Sequence, residues 1–270
     1  MKQRVITAIF LGAGFIALFF FLPAILTRAA FGVFAAIGVW ELLVKTKSMS
    51  PHVFVYISCV AAFAVVFFSG SMEDNVQPLF ITTFVYMVCA FACAVFDHEN
   101  VGFSSIAKGF MGAIVMPFML GAIPRILGGG AGRYLIMAPW VTVWVCDSAA
   151  LFVGKALGKH KLAPYVSPKK TVEGFVGGLA GGVLAMAAYV LVLGKFFDFA
   201  LPMLPMLCYG LAGSALGQLG DLSLSVLKRE SGIKDYGNIF PGHGGIWDRF
   251  DSVLFAAPLF EVALLFALKI

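Results

Sequence analysis

The stretch VEGFVGGLAGGVLAMAAYVLVL, residues 172–193, carries a single charge, Glu173, at its start and is apolar from there on. A helix that crosses the hydrocarbon core of a bilayer needs about 20 such residues. A soluble surface helix of that length would show a polar face opposite its apolar stripe. The stretch therefore predicts a membrane span, and the rest of the chain repeats the pattern. Of its 270 residues, 61% are hydrophobic and only 12% charged, and the mean hydropathy is +0.96. Soluble domains carry about 25% charged residues, and a globular core of this size cannot bury so much apolar surface.

Nine spans are expected, at about 5–26, 29–44, 53–69, 78–96, 106–127, 134–152, 172–193, 201–227 and 252–268. The second is short and contains Glu41, so a count of eight is the alternative. Lys2 and Arg4 ahead of an apolar stretch imitate a signal peptide, but the stretch is too long for an h-region and a bundle follows, so it is retained. The expected class is an all-α polytopic membrane protein. It is read as one transmembrane catalytic domain over 1–270, with 1–130 mainly scaffold and the polar motifs in 140–252.

Charge sets the expected orientation. With the N-terminus cytoplasmic, the inner segments hold Lys2, Arg4, Lys45, Lys47, Lys108, Lys155, Lys159, Lys161, Lys169, Lys170, Lys228, Arg229, Lys234 and Arg249. The outer ones hold Arg28, Arg125, Arg133, Lys195 and Lys269, with the acidic pair Glu73 and Asp74. Basic residues concentrate on the cytoplasmic side of membrane proteins. The net charge of +5 is thus no nucleic-acid signal. The five cysteines (Cys59, Cys89, Cys93, Cys146, Cys208) lie in apolar runs without metal-ligand spacing and read as small buried hydrophobes.

Polar chemistry concentrates in three places. Asp147-Ser148 lies late in the sixth span, ahead of Gly154-Lys155, with Asp147, Leu151 and Lys155 on one helical face. An intramembrane carboxylate costs several kcal/mol unless it is paired, hydrated or metal-bound. Next, Ser167-Pro168-Lys169-Lys170-Thr171-Val172-Glu173-Gly174 opens the seventh span. Ser167 or Thr171 can cap that helix, and two lysines at a helix N-terminus suit an anion.

The third constellation runs from Ser214 to Asp251. Ser214, Gln218, Asp221, Ser225 and Lys228 form a stripe down one face of an apolar helix, which must face the bundle interior or a wet cavity. Beyond it come Lys228-Arg229, Lys234-Asp235 and Pro241-Gly242-His243-Gly244-Gly245-Ile246-Trp247-Asp248-Arg249-Phe250-Asp251. Asp221, Asp235, Asp248 and Asp251 are hard oxygen ligands suited to Mg²⁺. Lys228, Arg229, Lys234 and Arg249 suit phosphate oxygens, and glycines beside His243 let backbone N–H groups approach an anion. Carboxylates for a metal beside cations for phosphates are what phosphoryl or nucleotidyl transfer requires.

The run Ser225-x-x-Lys228-Arg229-x4-Lys234-Asp235-x5-Pro241-x-His243-Gly244-Gly245-x-x-Asp248-Arg249-x-Asp251 resembles the signature of the phosphatidate cytidylyltransferases, or CDP-diacylglycerol synthases. Asp147-Ser148, Gly154-Lys155 and the Ser167–Gly174 run resemble a second block of that family. The resemblance implies transfer of the cytidylyl group of CTP to phosphatidic acid, giving CDP-diacylglycerol and pyrophosphate with Mg²⁺ required; whether a second cation joins is open. By that similarity Asp221 and Asp248 are the leading metal ligands, with Asp147 and Asp251 as further ones. Lys169, Lys170, Lys228, Arg229, Lys234 and Arg249 would hold the phosphates. Gln218 and Ser225 would line the head-group cavity, and Lys155, Ser167, Thr171, Glu173, Gly244 and Gly245 complete the substrate contacts, with His243 in a functional role.

Two other classes compete. A secondary transporter would also bury acids such as Asp147 and Asp221, but it would not need the compact basic loops at the surface. A CTP-dependent lipid kinase or an ether-lipid cytidylyltransferase could use the same site. The expected setting is a bacterial inner membrane with the site facing the cytoplasm, with lipid bilayer, CTP and phosphatidic acid as partners. A homodimer could form through Gly174, Gly177, Gly178, Gly181 and Gly182, which could equally pack within one subunit.

Overall fold

The computed structural model describes residues 12, 14–46, 49, 50, 52–70, 77–240, 242 and 244–268, and these are helical almost throughout. Among the described residues, five helices are long and apolar enough to cross a membrane: Ala24–Lys45, Gln77–Phe96, Phe103–Gly128, Gly132–Leu157 and Val172–Phe196. Val53–Phe68 and Val253–Phe266 are shorter apolar helices. The chain is thus a predominantly helical membrane protein in its architecture. Residues 5–11 and 13 of the span expected at 5–26 lie outside the described residues.

The chain divides into two compact units. The first comprises Met1–Gly129 and Glu230–Phe250. It contains α1 (Ala24–Trp40), α2 (Val53–Phe68), α3 (Gln77–Phe96), α4 (Phe103–Phe110), α5 (Met116–Leu120) and α6 (Ala122–Gly128). Helix α1 packs chiefly on α2, and α2 on α3. Helix α3 buries only Tyr86 and Ala90, while Phe80, Phe84, Val88, Phe91 and Val95 stand exposed. A helix apolar around its whole circumference and barely buried is covered by lipid rather than water. Helix α1 runs on into a π-helical turn, Glu41–Lys45, and α4 into another, Met111–Val115, just ahead of Pro117. Such turns widen the helix locally and often mark functional positions.

The second unit comprises Gly130–Arg229 and Asp251–Ile270. It contains α7 (Gly132–Leu135), α8 (Met137–Leu157), the strands β1 (Lys161–Ala163) and β2 (Ser167–Thr171), α9 (Val172–Phe196) and α10 (Met203–Glu230). After the first unit's short α11 (Trp247–Phe250), α12 (Val253–Ala263) closes this one. The glycine-rich face of α9 is used inside the chain. A Cβ at Gly182 would overlap Ser214 Oγ, one at Gly178 would lie 2.9 Å from Gln218 Nε2, and one at Gly174 2.8 Å from the Ala150 carbonyl. Small residues let α9 close on α8 and α10 together, the same device that brings membrane helices into contact generally.

An all-α reading missed the antiparallel ribbon of β1 and β2, which pairs Lys161 with Thr171 and Ala163 with Ser167. It is too short to show a strand periodicity. Pro168 stays at its edge, offering a carbonyl to Lys161 Nζ at 2.8 Å. The ribbon delivers the chain to Thr171, whose Oγ1 accepts the Gly174 N–H at 3.1 Å and caps α9.

Candidate active site

The polar stripe of α10 is buried as its spacing requires: Ser214, Gln218, Ser225 and Lys228 are all inside the protein. Gln218 Nε2 donates to the Phe175 carbonyl at 3.3 Å, which ties α10 to α9. Asp221, at the centre of the stripe, pairs with Lys170 at 2.6 Å, and each side chain stays about a quarter exposed (27% and 24%). Ser225 Oγ sits 3.5 Å from Asp221 Oδ1, at the limit of a hydrogen bond.

Gln218, Asp221 and Lys170 face a cavity of about 570 Å³, lined also by Asp147, Gly154, Lys155, Lys161, Lys169, Thr171 and Gly174, with apolar walls from Ala150, Leu151, Leu162 and Phe175. Two carboxylates and four lysines around one space of that size can accept a polyanion together with a divalent cation. Lys161 was not expected among the site residues. Its place in the basic run Gly158-Lys159-His160-Lys161 was the available signal, and only the ribbon turns it inward. Glu173, expected on substrate, does not line this cavity. Its carboxylate accepts the Lys159 and His160 N–H groups at 3.1 and 3.2 Å and meets His160 Nδ1 at 2.6 Å, which fastens the turn ahead of β1. Ser167 lies on β2, and Arg229 donates from Nε to the Val166 carbonyl at 3.3 Å, bracing the ribbon's turn.

Asp251 follows in the same unit, just ahead of α12. Burial pushes its carboxyl well above the usual carboxylate range; the charges of Asp221 and Asp147 push the same way, while Lys228 and the Ser252 N–H pull back. Asp147, Asp221 and Asp251 therefore feel one another, and their hard oxygen donors suit Mg²⁺. Among the described residues no three His, Cys, Asp or Glu side chains converge as a ready-made metal cluster. An ion of the Mg²⁺ type takes one or two carboxylates and completes its shell with water and substrate phosphates.

The signature loop belongs to the first unit. Asp248, expected as a metal ligand, is buried there, and its Oδ2 accepts the Tyr236 N–H at 2.7 Å and the Gly245 N–H at 2.9 Å. Gly242 and Gly244 take φ of +77° and +84°, which side chains other than glycine rarely adopt. Ile246 N–H donates to Glu41 Oε2 at 2.7 Å, and Trp247 Nε1 to the Gly38 carbonyl at 2.6 Å. Lys234 and Arg249 lie on this loop, Gly244 pairs with Phe240, and His243 falls outside the described residues.

A helical membrane protein whose spans enclose carboxylates and lysines around a polar cavity is a membrane-embedded enzyme of anionic substrates. Residues 2–267 match the model of the cytidylyltransferase family, and the chain belongs to that family. It is 34% identical over 279 residues to a phosphatidate cytidylyltransferase of Staphylococcus haemolyticus, covering 98% of this chain and 99% of the relative. It is 36% identical over 267 residues to one of Bacillus subtilis, covering 96% and 95%. A shorter match to one of Staphylococcus saprophyticus reaches 46% over 134 residues, half of each chain.

Proposed function

We propose that the chain transfers the cytidylyl group of CTP to the phosphate of phosphatidic acid, releasing pyrophosphate and forming CDP-diacylglycerol. The observation that carries this reading is the cavity in which Asp147 and Asp221 face Lys155, Lys161, Lys169 and Lys170. The phosphate of phosphatidic acid is already largely anionic at neutral pH, with a second pKa near 6. It therefore needs no strong general base. The attacking phosphate oxygen forms a bond to the α-phosphorus of CTP as the bond to the pyrophosphate oxygen breaks. The lysines hold the phosphate oxygens and offset the charge that builds on them. Mg²⁺, held by one or two of Asp147, Asp221 and Asp251, would supply Lewis-acid stabilisation of the departing pyrophosphate. Lys170 pairs with Asp221 at the wall of this cavity. Within the other unit, Asp248 orders the signature loop that carries Lys234 and Arg249.

The finer topology belongs to the same proposal: nine crossings, the N-terminus and both motif loops on the cytoplasmic side, and a bacterial inner membrane around them. The loop charges and the bacterial relatives support it. A homodimer would have to form on a surface other than the glycine face of α9, which the chain itself occupies.

The test is pyrophosphate release from CTP by purified protein in micelles containing phosphatidic acid, with and without Mg²⁺. Release is expected to need both lipid and metal and to fall at least about 100-fold in Asp221→Asn. No release from folded wild type, or full activity of Asp221→Asn, would overturn the proposal. Release with a lipid alcohol and not with phosphatidic acid would reassign the acceptor.

A further inference from the structure

Glu41 is a carboxylate placed within an apolar helix, 2% exposed, and nothing in the reaction just described uses it. Its surroundings give it a task. Phe31, Phe34, Gly38 and Glu41 fall at spacings of three, four and three along α1 and the turn that continues it, so they share one face of that helix. The signature loop lies along this face in reverse order. Phe250 meets Phe31 and Phe34, with ring centroids 5.8 and 5.9 Å apart. Trp247 covers Gly38 so closely that a Cβ there would lie 2.6 Å from its ring, and its indole N–H is bonded to the Gly38 carbonyl. One helical turn on, Glu41 Oε2 accepts the Ile246 N–H.

The other carboxylate oxygen, Oε1, is buried, and the backbones of Gly237 and Gly245 press against it. A Cβ at either glycine would overlap Glu41. The two ends of the loop are thus brought to one carboxylate, and Gly245 is also the residue whose N–H holds Asp248. A charge-bearing side chain is expensive in such a place, so a packing role alone accounts poorly for its being a glutamate. We infer that Glu41 is a positioning residue for the signature loop: its carboxylate fixes Gly237, Gly245 and Ile246, and so sets the orientation of Asp248 and Arg249. The inference rests on the proposed cytidylyl transfer only for its effect on rate; the contact itself is independent of the reaction.

The experiment compares full-length wild type, Glu41→Ala and Glu41→Gln in detergent by amide hydrogen exchange and by steady-state kinetics with CTP and phosphatidic acid. Glu41→Ala is expected to speed exchange in peptides covering 236–248 at least about tenfold and to leave those of α8 and α9 unchanged. It should lower kcat at least about tenfold with a smaller change in KM for CTP, because a misplaced group loses the transition state first. Glu41→Gln, whose amide oxygen can still accept the Ile246 N–H, should restore both readouts to within about threefold of wild type. Should Glu41→Ala fail to fold, Glu41→Asp takes its place, since it withdraws the carboxylate by one methylene. Unchanged loop exchange in the damaging variant would overturn the inference. So would faster exchange with kcat intact, or a glutamine variant no better than alanine. A wild type that makes no CDP-diacylglycerol would sink the proposed function, while the exchange data would still decide whether Glu41 holds the loop.

Discussion

Lys170 and Asp221 show how a single pair can serve both binding and charge balance. Each side chain is about a quarter exposed, so the pair is neither a deeply buried ion pair nor a solvated surface one. Lys170→Met removes the cation beside Asp221 and one of the four lysines lining the cavity. Its CTP turnover is expected to fall by about two orders of magnitude, against about tenfold for Lys161→Ala, whose Nζ also rests on the Pro168 carbonyl. Pyrophosphate release at saturating lipid measures both. Asp251 gives a pH dependence with a definite sign. Its carboxyl is raised in the folded, metal-free protein, so above the ordinary carboxylate range the folded state binds a proton that the unfolded state has lost. By linkage, its contribution to stability falls as pH rises through that window. On the proposed function, Mg²⁺ bound at Asp251 would need the ionised form, so its binding would release the proton and tighten as pH rises. Metal-free wild type should therefore lose thermal stability between pH 6 and pH 9 relative to Asp251→Asn. The rise in Tm on adding Mg²⁺ should be larger at pH 9, and Asp251→Asn should flatten both trends.

Helix α9 separates two uses of glycine that composition alone does not distinguish. Gly182 packs against Ser214 and the Gly210 carbonyl, whereas a Cβ at Gly194 would meet nothing within 4 Å. Gly182→Ala forces α9 and α10 apart and should destabilise by about 1–3 kcal/mol. Gly194→Ala only improves helix propensity and should be neutral or stabilising by up to about 1 kcal/mol. Thermal unfolding in one detergent checks the contrast, and a loss in Gly194→Ala matching that in Gly182→Ala would refute the packing argument. The sequence announced this helix and the stripe of α10 clearly, because long periodic segments state their own burial. It announced the hairpin of β1 and β2 poorly, because strands of three and five residues have no period to read. Glu41 was legible as an anomaly but not as a partner of Ile246, since no local pattern connects residues 205 positions apart.

At the scale of the whole molecule, the site was legible as a list of residue types and much less as a geometry. The lysines of 155–170 follow the sixth span, and Asp147 and Asp221 lie late in the sixth and eighth, so all could be expected at one side of the membrane. That Asp248 would spend its Oδ2 on Tyr236 and Gly245 could not be expected, because only the folded loop brings those N–H groups to it. The membrane orientation is where charge counting makes its largest claim, and it carries its own consequence. Lys159 and Ser231 belong to the segments placed inside with the substrate nucleotide, Gly130 to a segment placed outside. In a variant with all five cysteines replaced by alanine, Gly130→Cys should react with an impermeant maleimide added to intact bacterial cells. Lys159→Cys and Ser231→Cys should react only after the cells are permeabilised. A Cβ at Gly130 meets nothing within 4 Å, so the label has room there. The reverse pattern would place both motif loops on the side away from cytoplasmic CTP. The proposed reaction could not then run in the cell, however active the purified protein proved in micelles.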